Sequence, residues 1–122
     1  MIATGIDLVE VQRIEESIAR YGERFLARVF TASELAYCRG RPQQLAARFA
    51  AKEAVSKLLG TGIQHRDGVG WREIQIVSNE RGQPSVQLSG RAAQRATEIG
   101  FRNIAISLSH TREHAIAMVV AE

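Results

Sequence analysis

The sequence predicts an α+β domain, with helices grouped in the first half of the chain and antiparallel strands grouped in the second. Apolar residues recur at helical spacing through much of residues 10–60, whereas they alternate with polar residues in several stretches after residue 70. No linker, repeat or low-complexity segment divides the 122 residues, and this length gives room for one hydrophobic core. We therefore predict a single domain over residues 1–122, in which the early helices pack on an antiparallel sheet.

One strand and four helices are expected in the first half. Residues 1–9 mix β-branched side chains with glycine and predict a strand that ends near Asp7. Helical patterns follow in four segments, which are residues 10–22, 23–30, 32–38 and 43–60. Gly22 and Gly60 stand where glycine typically stops a helix.

The third helix has a recognisable start. Thr31 is followed three residues later by Glu34, which fits a capping box in which the two residues bind each other's backbone amides. The stretch "GRPQQ", residues 40–44, is the most loop-like part of this half. The fourth helix is accordingly expected to begin at about Gln43.

The second half predicts two β-hairpins separated by a helix. Four alternating segments are expected to be strands, which are residues 71–77, 84–88, 103–109 and 114–120. The helix between the hairpins covers residues 90–100 and is closed by a glycine. The segment 60–70 is glycine-rich and irregular, and we assign no role to its histidine, His65.

Composition limits the classes of protein to consider. The net charge is +3 and the isoelectric point about 9.6, which favours an anionic partner such as a nucleic acid, a phosphorylated ligand or an acidic protein. No apolar run approaches the roughly 18 residues of a membrane span, and we do not expect a secretory signal. Cys38 is the only cysteine, which excludes an internal disulfide and a cysteine-based zinc cluster. We expect a cytoplasmic protein.

The helix predicted over residues 43–60 carries charges where a core face is expected. Its apolar residues cover more than half of its circumference, which is typical of a buried helix. Arg48, Lys52 and Ser56 nevertheless form one ridge along it, and Glu53 and Lys57 form another. These ridges either face solvent, with Glu53 and Lys57 as a weakly stabilising pair, or line a cleft that binds a phosphate ligand together with a metal ion. The pattern alone leaves both interpretations open.

Three motifs resemble those of one enzyme family. They are "GIDLVEV" near the N-terminus, "RFAAKEAVSKLLGTG" in the central helix and "SLSHT" near the C-terminus. Their order and spacing are similar to those of the holo-(acyl-carrier-protein) synthases, the bacterial phosphopantetheinyl transferases, and so is the chain length. The segments "RFLARVFTASELAYC" and "GQPSVQLSG" extend the resemblance along essentially the whole chain. It implies a 4′-phosphopantetheinyl transferase-like fold.

The resemblance implies a reaction and a metal. The family moves the 4′-phosphopantetheine arm of coenzyme A onto a serine of apo acyl carrier protein, releases adenosine 3′,5′-bisphosphate and requires Mg²⁺. Asp7 and Glu53 match the family's metal ligands, and Lys57 matches its lysine beside the reacting phosphate, so these three are the expected catalytic residues. Glu53 and water held by the metal are both candidates for the base that takes the serine proton.

The resemblance also implies a coenzyme A site. The residues expected to bind coenzyme A are Arg48, Lys57, Gly82, Pro84, His110 and Thr111. The loop "RGQP" is expected near the adenosine part, and Gln83 stands there where the family often has lysine, so this contact is expected to be weaker or differently made. His114 replaces a frequent tyrosine. Neither departure touches the three expected catalytic residues.

A series of arginines predicts a partner surface. Arg13, Arg20, Arg24 and Arg28 follow spacings of 7, 4 and 4, which would place them on one side if the first two helices were nearly continuous. They form either a solvated face paired with nearby glutamates or, as the resemblance implies, a docking surface for the acidic acyl carrier protein. On the second interpretation Arg13, Arg20 and Arg24 bind this partner. The family also implies a homotrimer with active sites between subunits.

Other classes of function explain less of the sequence. The isoelectric point suits a small nucleic-acid-binding module, but aromatic residues make up only 6% of the chain and form no stacking cluster. A purely structural interaction domain would tolerate replacement of the charges in residues 48–57. The stretch "HTREH" matches the zinc peptidase pattern His-x-x-Glu-His, which requires a helix, whereas a hairpin turn is expected here. We treat the match as a coincidence and expect neither a nucleic-acid nor a membrane partner.

Overall fold

The computed structural model describes residues 1–63, 66 and 68–122, so His65 lies outside the described residues. Helices are grouped in the first half of the chain and strands mainly in the second, as the sequence predicts. The elements are β1 (Ala3–Glu10), α1 (Val11–Tyr21), α2 (Glu23–Val29), α3 (Ala32–Cys38), α4 (Pro42–Leu59), a 3₁₀-helix (Trp71–Glu73), β2 (Ile74–Ser78), β3 (Pro84–Leu88), α5 (Gly90–Ile99), β4 (Ile104–His110) and β5 (His114–Ala121). Helices in the first half and antiparallel strands in the second confirm the α+β prediction.

Two antiparallel sheets are built from these strands. The three-stranded sheet has the order β1-β5-β4, so the N-terminal strand pairs with the last strand of the chain. The second sheet is the β2–β3 hairpin. Both predicted hairpins are therefore present. The pairing of β1 with β5 brings the "GID" motif to a sheet formed by the C-terminal quarter of the chain.

Helix α4 is the centre of the fold. It packs on β1 and β5, and its buried residues face the sheet on one side and the other helices and β2 on the remaining sides. The contact with β1 is close because of Gly5, where an added Cβ would overlap the carbonyl oxygen of Ala54. A glycine at this position lets the strand backbone lie directly against the helix. It thereby places Asp7, two residues farther along β1 on the same face, beside α4.

Most predicted helix boundaries are confirmed. The capping box of α3 is present, with Glu34 N donating to Thr31 Oγ1 at 3.2 Å and Thr31 N donating to Glu34 Oε1 at 2.8 Å. Gly22 ends α1, and Gly60 ends α4 in the left-handed conformation. Both glycines adopt a positive φ that other residues rarely take.

Two predicted boundaries are wrong. The first strand does not end near Asp7 but continues to Glu10, because Asp7 pairs with Ala117 inside the β1–β5 ladder. Asp7 therefore does not cap the following helix. The second predicted strand begins at Ile74 and not at Trp71, because Trp71–Glu73 forms a 3₁₀-helix. Helix α4 begins at Pro42, within one residue of its predicted start, and takes up part of the stretch expected to be a loop, because the fixed φ of proline suits the first turn of a helix.

One charged ridge of α4 is buried rather than solvated. Arg48 and Ser56 are almost inaccessible, and Lys52 has 0% of its surface exposed. The Lys52 ammonium lies 2.8 Å from Glu34 Oε1 and donates to the carbonyl oxygens of Trp71 and Ile74 at 3.0 and 2.7 Å. The other oxygen of Glu34 accepts from the backbone amide of Ile76. This ion pair connects α3, α4 and β2, and every donor of the ammonium has an acceptor.

Among the described residues, no helix has both the length and the apolar character needed to cross a membrane.

Candidate active site

The second charged ridge of α4 meets β1. Lys57 Nζ donates to Asp7 Oδ1 at 3.1 Å and to the carbonyl oxygen of Ile6 at 2.9 Å. The Asp7 side chain is only 18% exposed, whereas that of Lys57 is 56% exposed. The carboxylate is therefore held in a recess between strand and helix, and the ammonium reaches it from the solvent side.

Glu53 lies one turn before Lys57 on the same ridge and faces the same recess. Burial raises the pKa of the Glu53 carboxyl above its ordinary value, and the negative charge of Asp7 raises it further. The positive charges of Lys57 and Arg13 act in the opposite direction. Two carboxylates and two cations thus influence one another at this point, which we call the carboxylate recess (Asp7, Glu53, Lys57 and Arg13).

The donor chemistry of the carboxylate recess suits Mg²⁺. This ion prefers hard oxygen ligands and is usually bound by one or two carboxylates, with water and substrate phosphate completing its shell. Asp7 and Glu53 supply two such carboxylates. In the described part of the chain, no cluster of three or more His, Cys, Asp or Glu residues could hold a metal by itself. A metal bound here would accordingly take further oxygens from water or from a ligand.

Arg48, which was expected to bind coenzyme A, belongs to a different group of residues. Its guanidinium donates to Gln44 Oε1 at 2.6 Å and to Ser78 Oγ at 2.9 Å, and lies 4.6 Å from the centre of the Tyr37 ring. The residue is only 3% exposed. Since Ser78 ends β2, these contacts attach α4 to the β2–β3 hairpin.

Gly82 and Pro84 lie at the turn of that hairpin. Asn79 organises the turn, because its Oδ1 accepts from the amides of Arg81 and Gln83 at 2.9 and 3.0 Å. Gly82 has a φ of +80° and therefore suits glycine, and Pro84 begins β3. The side of Gly82 faces the Tyr37 hydroxyl. The turn and Arg48 thus share Tyr37 and Ser78 as neighbours.

His110 and Thr111 lie at the hairpin that joins β4 to β5. His110 ends β4 and is exposed, and the Thr111 hydroxyl accepts from the amides of Glu113 and His114 at 3.3 and 3.1 Å. Because His110 and His114 belong to two strands and not to one helix, the backbone does not provide the geometry of the zinc peptidase pattern. The structure therefore brings Asp7, Glu53 and Lys57 together, and leaves the expected coenzyme A residues on two hairpins and on α4.

The arginine series is exposed but not continuous. Arg13, Arg20 and Arg24 are all exposed. Gly22 interrupts the helix between Arg20 and Arg24, so the nearly continuous helix that would align all of the arginines is not formed. Arg13 and Arg20 still share one side of α1, seven residues apart. Arg13 also borders a groove of about 450 Å³, and it is the member of the series whose charge acts on Glu53.

An exposed apolar face was not recognised in the sequence. Ile6, Leu8 and Met118 are 54%, 63% and 45% exposed, and Ile6 pairs directly with Met118. These side chains lie on the face of the β1–β5 ladder opposite to the one that holds Gly5 against α4. We call this surface the outer sheet face (Ile6, Leu8 and Met118). The sequence contained one indication of this face, because both faces of β1 are apolar, which is typical of a strand covered on both sides.

Comparison with known proteins identifies the family of this chain. Residues 3–119 match the model of the 4′-phosphopantetheinyl transferase superfamily. The chain is 46% identical over 127 residues to the holo-(acyl-carrier-protein) synthase of Herpetosiphon aurantiacus, with 98% of each chain covered. It is 48% identical over 122 residues to that of Dehalococcoides mccartyi strain CBDB1, with 100% of this chain and 99% of the relative covered.

A solved structure agrees as well. The crystal structure of the Helicobacter pylori holo-(acyl-carrier-protein) synthase in complex with coenzyme A has a TM-score of 0.87 to this fold at 33% identity, with 100% of both chains covered. Sequence and fold thus match the same family over essentially their full length. This chain therefore belongs to the 4′-phosphopantetheinyl transferase superfamily.

Proposed function

We propose that this chain transfers the 4′-phosphopantetheine group of coenzyme A to a serine of apo acyl carrier protein and releases adenosine 3′,5′-bisphosphate. The observation that carries the proposal is the carboxylate recess, where Asp7, Glu53 and Lys57 meet although 46 residues separate Asp7 from Glu53 in sequence. The matched relatives are holo-(acyl-carrier-protein) synthases over nearly their whole length, and one was solved with coenzyme A.

The residues of the recess suit phosphoryl transfer. The serine oxygen forms a bond to the pantetheine-side phosphorus of the pyrophosphate, and the bond from this phosphorus to the bridging oxygen breaks. Mg²⁺, when bound, supplies positive charge to the pyrophosphate oxygens. Asp7 and Glu53 would hold this ion. Lys57 donates to a phosphate oxygen on which charge develops, and the serine proton passes to Glu53 or to water.

We assign coenzyme A binding to the remaining predicted residues. Arg48 supports the site by holding the β2–β3 turn through Ser78, and the turn presents Gly82 and Pro84. His110 and Thr111 contribute from the β4–β5 hairpin, where His110 is exposed. Gln83 lies in the same turn, and its backbone amide donates to Asn79 Oδ1, which closes the turn. The lysine that the family often has at that position would add a cation, which this chain lacks there.

We further propose a homotrimer with active sites shared between subunits. The outer sheet face supports this, because contiguous apolar side chains on one sheet surface are typical of protein interfaces. Four of the expected coenzyme A residues, Gly82, Pro84, His110 and Thr111, also lie at the two hairpins and not on the elements of the carboxylate recess, and this supports a shared site. Light scattering should give a trimer, and Leu8→Asp should give monomers without transferase activity. A wild-type monomer with full activity would contradict the shared site.

The proposed protein partner is acyl carrier protein, bound through Arg13, Arg20 and Arg24. Their exposure supports the assignment, since an acidic partner needs accessible cations.

We also propose a cytoplasmic location. Cys38 is a buried free thiol, which a reducing compartment preserves.

Mass spectrometry tests the proposed function directly. Apo acyl carrier protein incubated with this chain, coenzyme A and Mg²⁺ should gain the mass of one 4′-phosphopantetheine group. A chelator should abolish the gain, and added Mg²⁺ should restore it. Asp7→Asn and Glu53→Gln keep the shape of each side chain and should nearly abolish transfer while the protein remains folded. Unmodified carrier protein after incubation with folded wild-type enzyme and Mg²⁺ would refute the proposal.

A further inference from the structure

The Lys57 ammonium binds a carboxylate that the proposed metal ion would also need. Its ammonium is bonded to Asp7 Oδ1 at 3.1 Å and to the carbonyl oxygen of Ile6 at 2.9 Å. Asp7 is also one of the two carboxylates that would hold Mg²⁺. An ammonium and a divalent cation beside the same carboxylate repel each other, and the repulsion between charges about 4 Å apart is large at a partly buried site.

In the structure, the Lys57 ammonium supplies positive charge beside Asp7, as a bound metal ion would. Burial raises the pKa of Glu53, and the negative charge of Asp7 raises it further, so Asp7 is close enough to disfavour the charged form of Glu53. Lys57 offsets this repulsion from its place beside Asp7. The negative charge of the recess is therefore offset by a cation that belongs to the chain.

The surroundings of Lys57 allow it to move away. Its side chain is 56% exposed and ends a flexible stem, and its bonds are made to one carboxylate oxygen and one carbonyl oxygen at the surface. Lys52, on the same helix, is 0% exposed, and its ammonium contacts three acceptors, which are Glu34 Oε1 and the carbonyl oxygens of Trp71 and Ile74. Of these two lysines, only Lys57 has solvent into which it can swing.

We propose that Lys57 and the divalent cation exchange at Asp7. In the metal-free protein Lys57 holds Asp7, and it gives up this carboxylate when a divalent cation binds there. The released ammonium is then free to reach the phosphate of coenzyme A one step later. Metal binding thereby prepares the lysine for its catalytic contact. This inference rests on the function proposed above and adds a coupling between two of its residues.

Binding of free Mn²⁺, followed by electron paramagnetic resonance without coenzyme A, tests the exchange. Lys57→Met removes the competing cation and should tighten Mn²⁺ binding about tenfold, because the metal no longer has to displace it. Arg102→Met makes the same change of charge at an exposed residue beside the far end of the sheet, where Ala3 pairs with Ala121, and should leave binding unchanged. Asp7→Asn should weaken binding strongly.

The outcomes separate this inference from the function on which it rests. Equal or weaker Mn²⁺ binding by Lys57→Met, with binding still dependent on Asp7, would overturn the exchange and leave the metal site standing. Binding that is absent, or that Asp7→Asn does not weaken, would overturn the metal site itself. An equal gain in Lys57→Met and Arg102→Met would reduce the effect to net charge and would also overturn the exchange.

Lysine-selective isotope labelling gives a second measurement without any substitution. The chain contains only two lysines, Lys52 and Lys57, so the ε-methylene region of a labelled sample should hold two sets of signals. Addition of Mg²⁺ should shift and sharpen the Lys57 signals, because the side chain is released from Asp7. The Lys52 signals should not change, and they serve as the internal control. A Lys57 signal that stays in place while Mg²⁺ saturates the protein would contradict the exchange.

Discussion

Lys52 and Lys57 lie five residues apart on α4, yet the structure places them in opposite situations. Lys52 has no exposed surface, and its charge is matched by the buried carboxylate of Glu34. Lys57 is more than half exposed and reaches a carboxylate at the edge of the recess. Helix α4 therefore carries a buried ion pair on one side and a solvent-accessible ion pair on another side, about 140° away around the helix axis.

The difference shows which kind of charge on a buried helix indicates function. A charge whose donors are all paired inside the protein has no bonding capacity left for a ligand, and its removal should damage folding. A charge that balances neighbouring carboxylates at an accessible site retains such capacity. Variants of Lys52 should consequently lose mainly stability, whereas variants of Lys57 should lose mainly activity.

The largest expected effect on stability is that of Lys52→Met. The substitution leaves the Glu34 carboxylate buried without its cation and removes a donor from the carbonyl oxygens of Trp71 and Ile74. Breaking a buried pair in this way costs about 3–5 kcal/mol, a large part of the roughly 5–15 kcal/mol that stabilises a typical domain. Urea unfolding at constant protein concentration should measure it.

A double variant shows whether the cost comes from the unpaired charge. Glu34→Gln together with Lys52→Met removes both charges and keeps a side-chain oxygen for the amide of Thr31. This protein should be more stable than Lys52→Met alone. If the two proteins unfold at the same urea concentration, the buried pair is not the reason for the loss.

Gly5→Ala should have the next largest effect, because it acts on the contact that brings β1 to α4. The added Cβ would overlap the carbonyl oxygen of Ala54, so strand and helix must separate. Overpacking of this kind costs about 1–3 kcal/mol. The separation should also carry Asp7 away from Glu53 and lower the transfer rate in the protein that remains folded.

Gly70→Ala is the matched control for Gly5→Ala. A Cβ at residue 70 would lie 3.4 Å from its nearest neighbour, an oxygen of Glu73, which is ordinary contact. Its transfer rate should be unchanged. A Gly5→Ala protein with wild-type stability and rate would show that the close approach of strand and helix is unimportant for the site.

Lys57→Ala should have a small effect on stability and a large one on catalysis. Exposed ion pairs contribute only about 0–1 kcal/mol, so the unfolding midpoint should change little. A cation aimed at the transferring phosphate helps most where charge develops, so kcat should fall more than the affinity for coenzyme A. Steady-state kinetics with coenzyme A varied would measure both. A rise in KM alone would make Lys57 a binding residue only.

Much of the fold could be predicted because its signals are local. The capping box of Thr31 and Glu34, the glycines that end helices and the two hairpins each depend on a few neighbouring residues. The length of β1 depends instead on a partner at the other end of the chain. Pairing with β5 extends the strand past Asp7 to Glu10, and no local pattern contains that information.

The same distinction applies to the candidate site. The motifs identify Asp7, Glu53 and Lys57 without reference to their surroundings, and the structure brings them together. The burial of Arg48 could not be predicted, because its partners Tyr37 and Ser78 come from other elements. Glu34 was recognised as a cap, but its second role as the partner of Lys52 requires the packing of α3 on α4.

The smallest expected effect on stability concerns the exposed arginines of α1. Arg13 and Arg20 are accessible and share one side of the helix, so Arg13→Glu with Arg20→Glu should leave the unfolding midpoint almost unchanged. The substitutions should raise the KM for acyl carrier protein and change that for coenzyme A little, because exposed charges act mainly on the rate of association. Wild-type affinity for the carrier should also fall with added salt, which screens such charges.

Single variants separate the two arginines. Arg13 also influences Glu53, so Arg13→Glu should lower kcat in addition to raising the KM for the carrier, whereas Arg20→Glu should change the KM alone. Arg102→Glu reverses an exposed charge away from α1 and should change neither constant. Normal modification of the carrier by the doubly reversed variant, at low salt and limiting carrier concentration, would leave these arginines a solvated face. Equal kcat values for Arg13→Glu and Arg20→Glu would instead show that Arg13 acts only in binding the carrier protein.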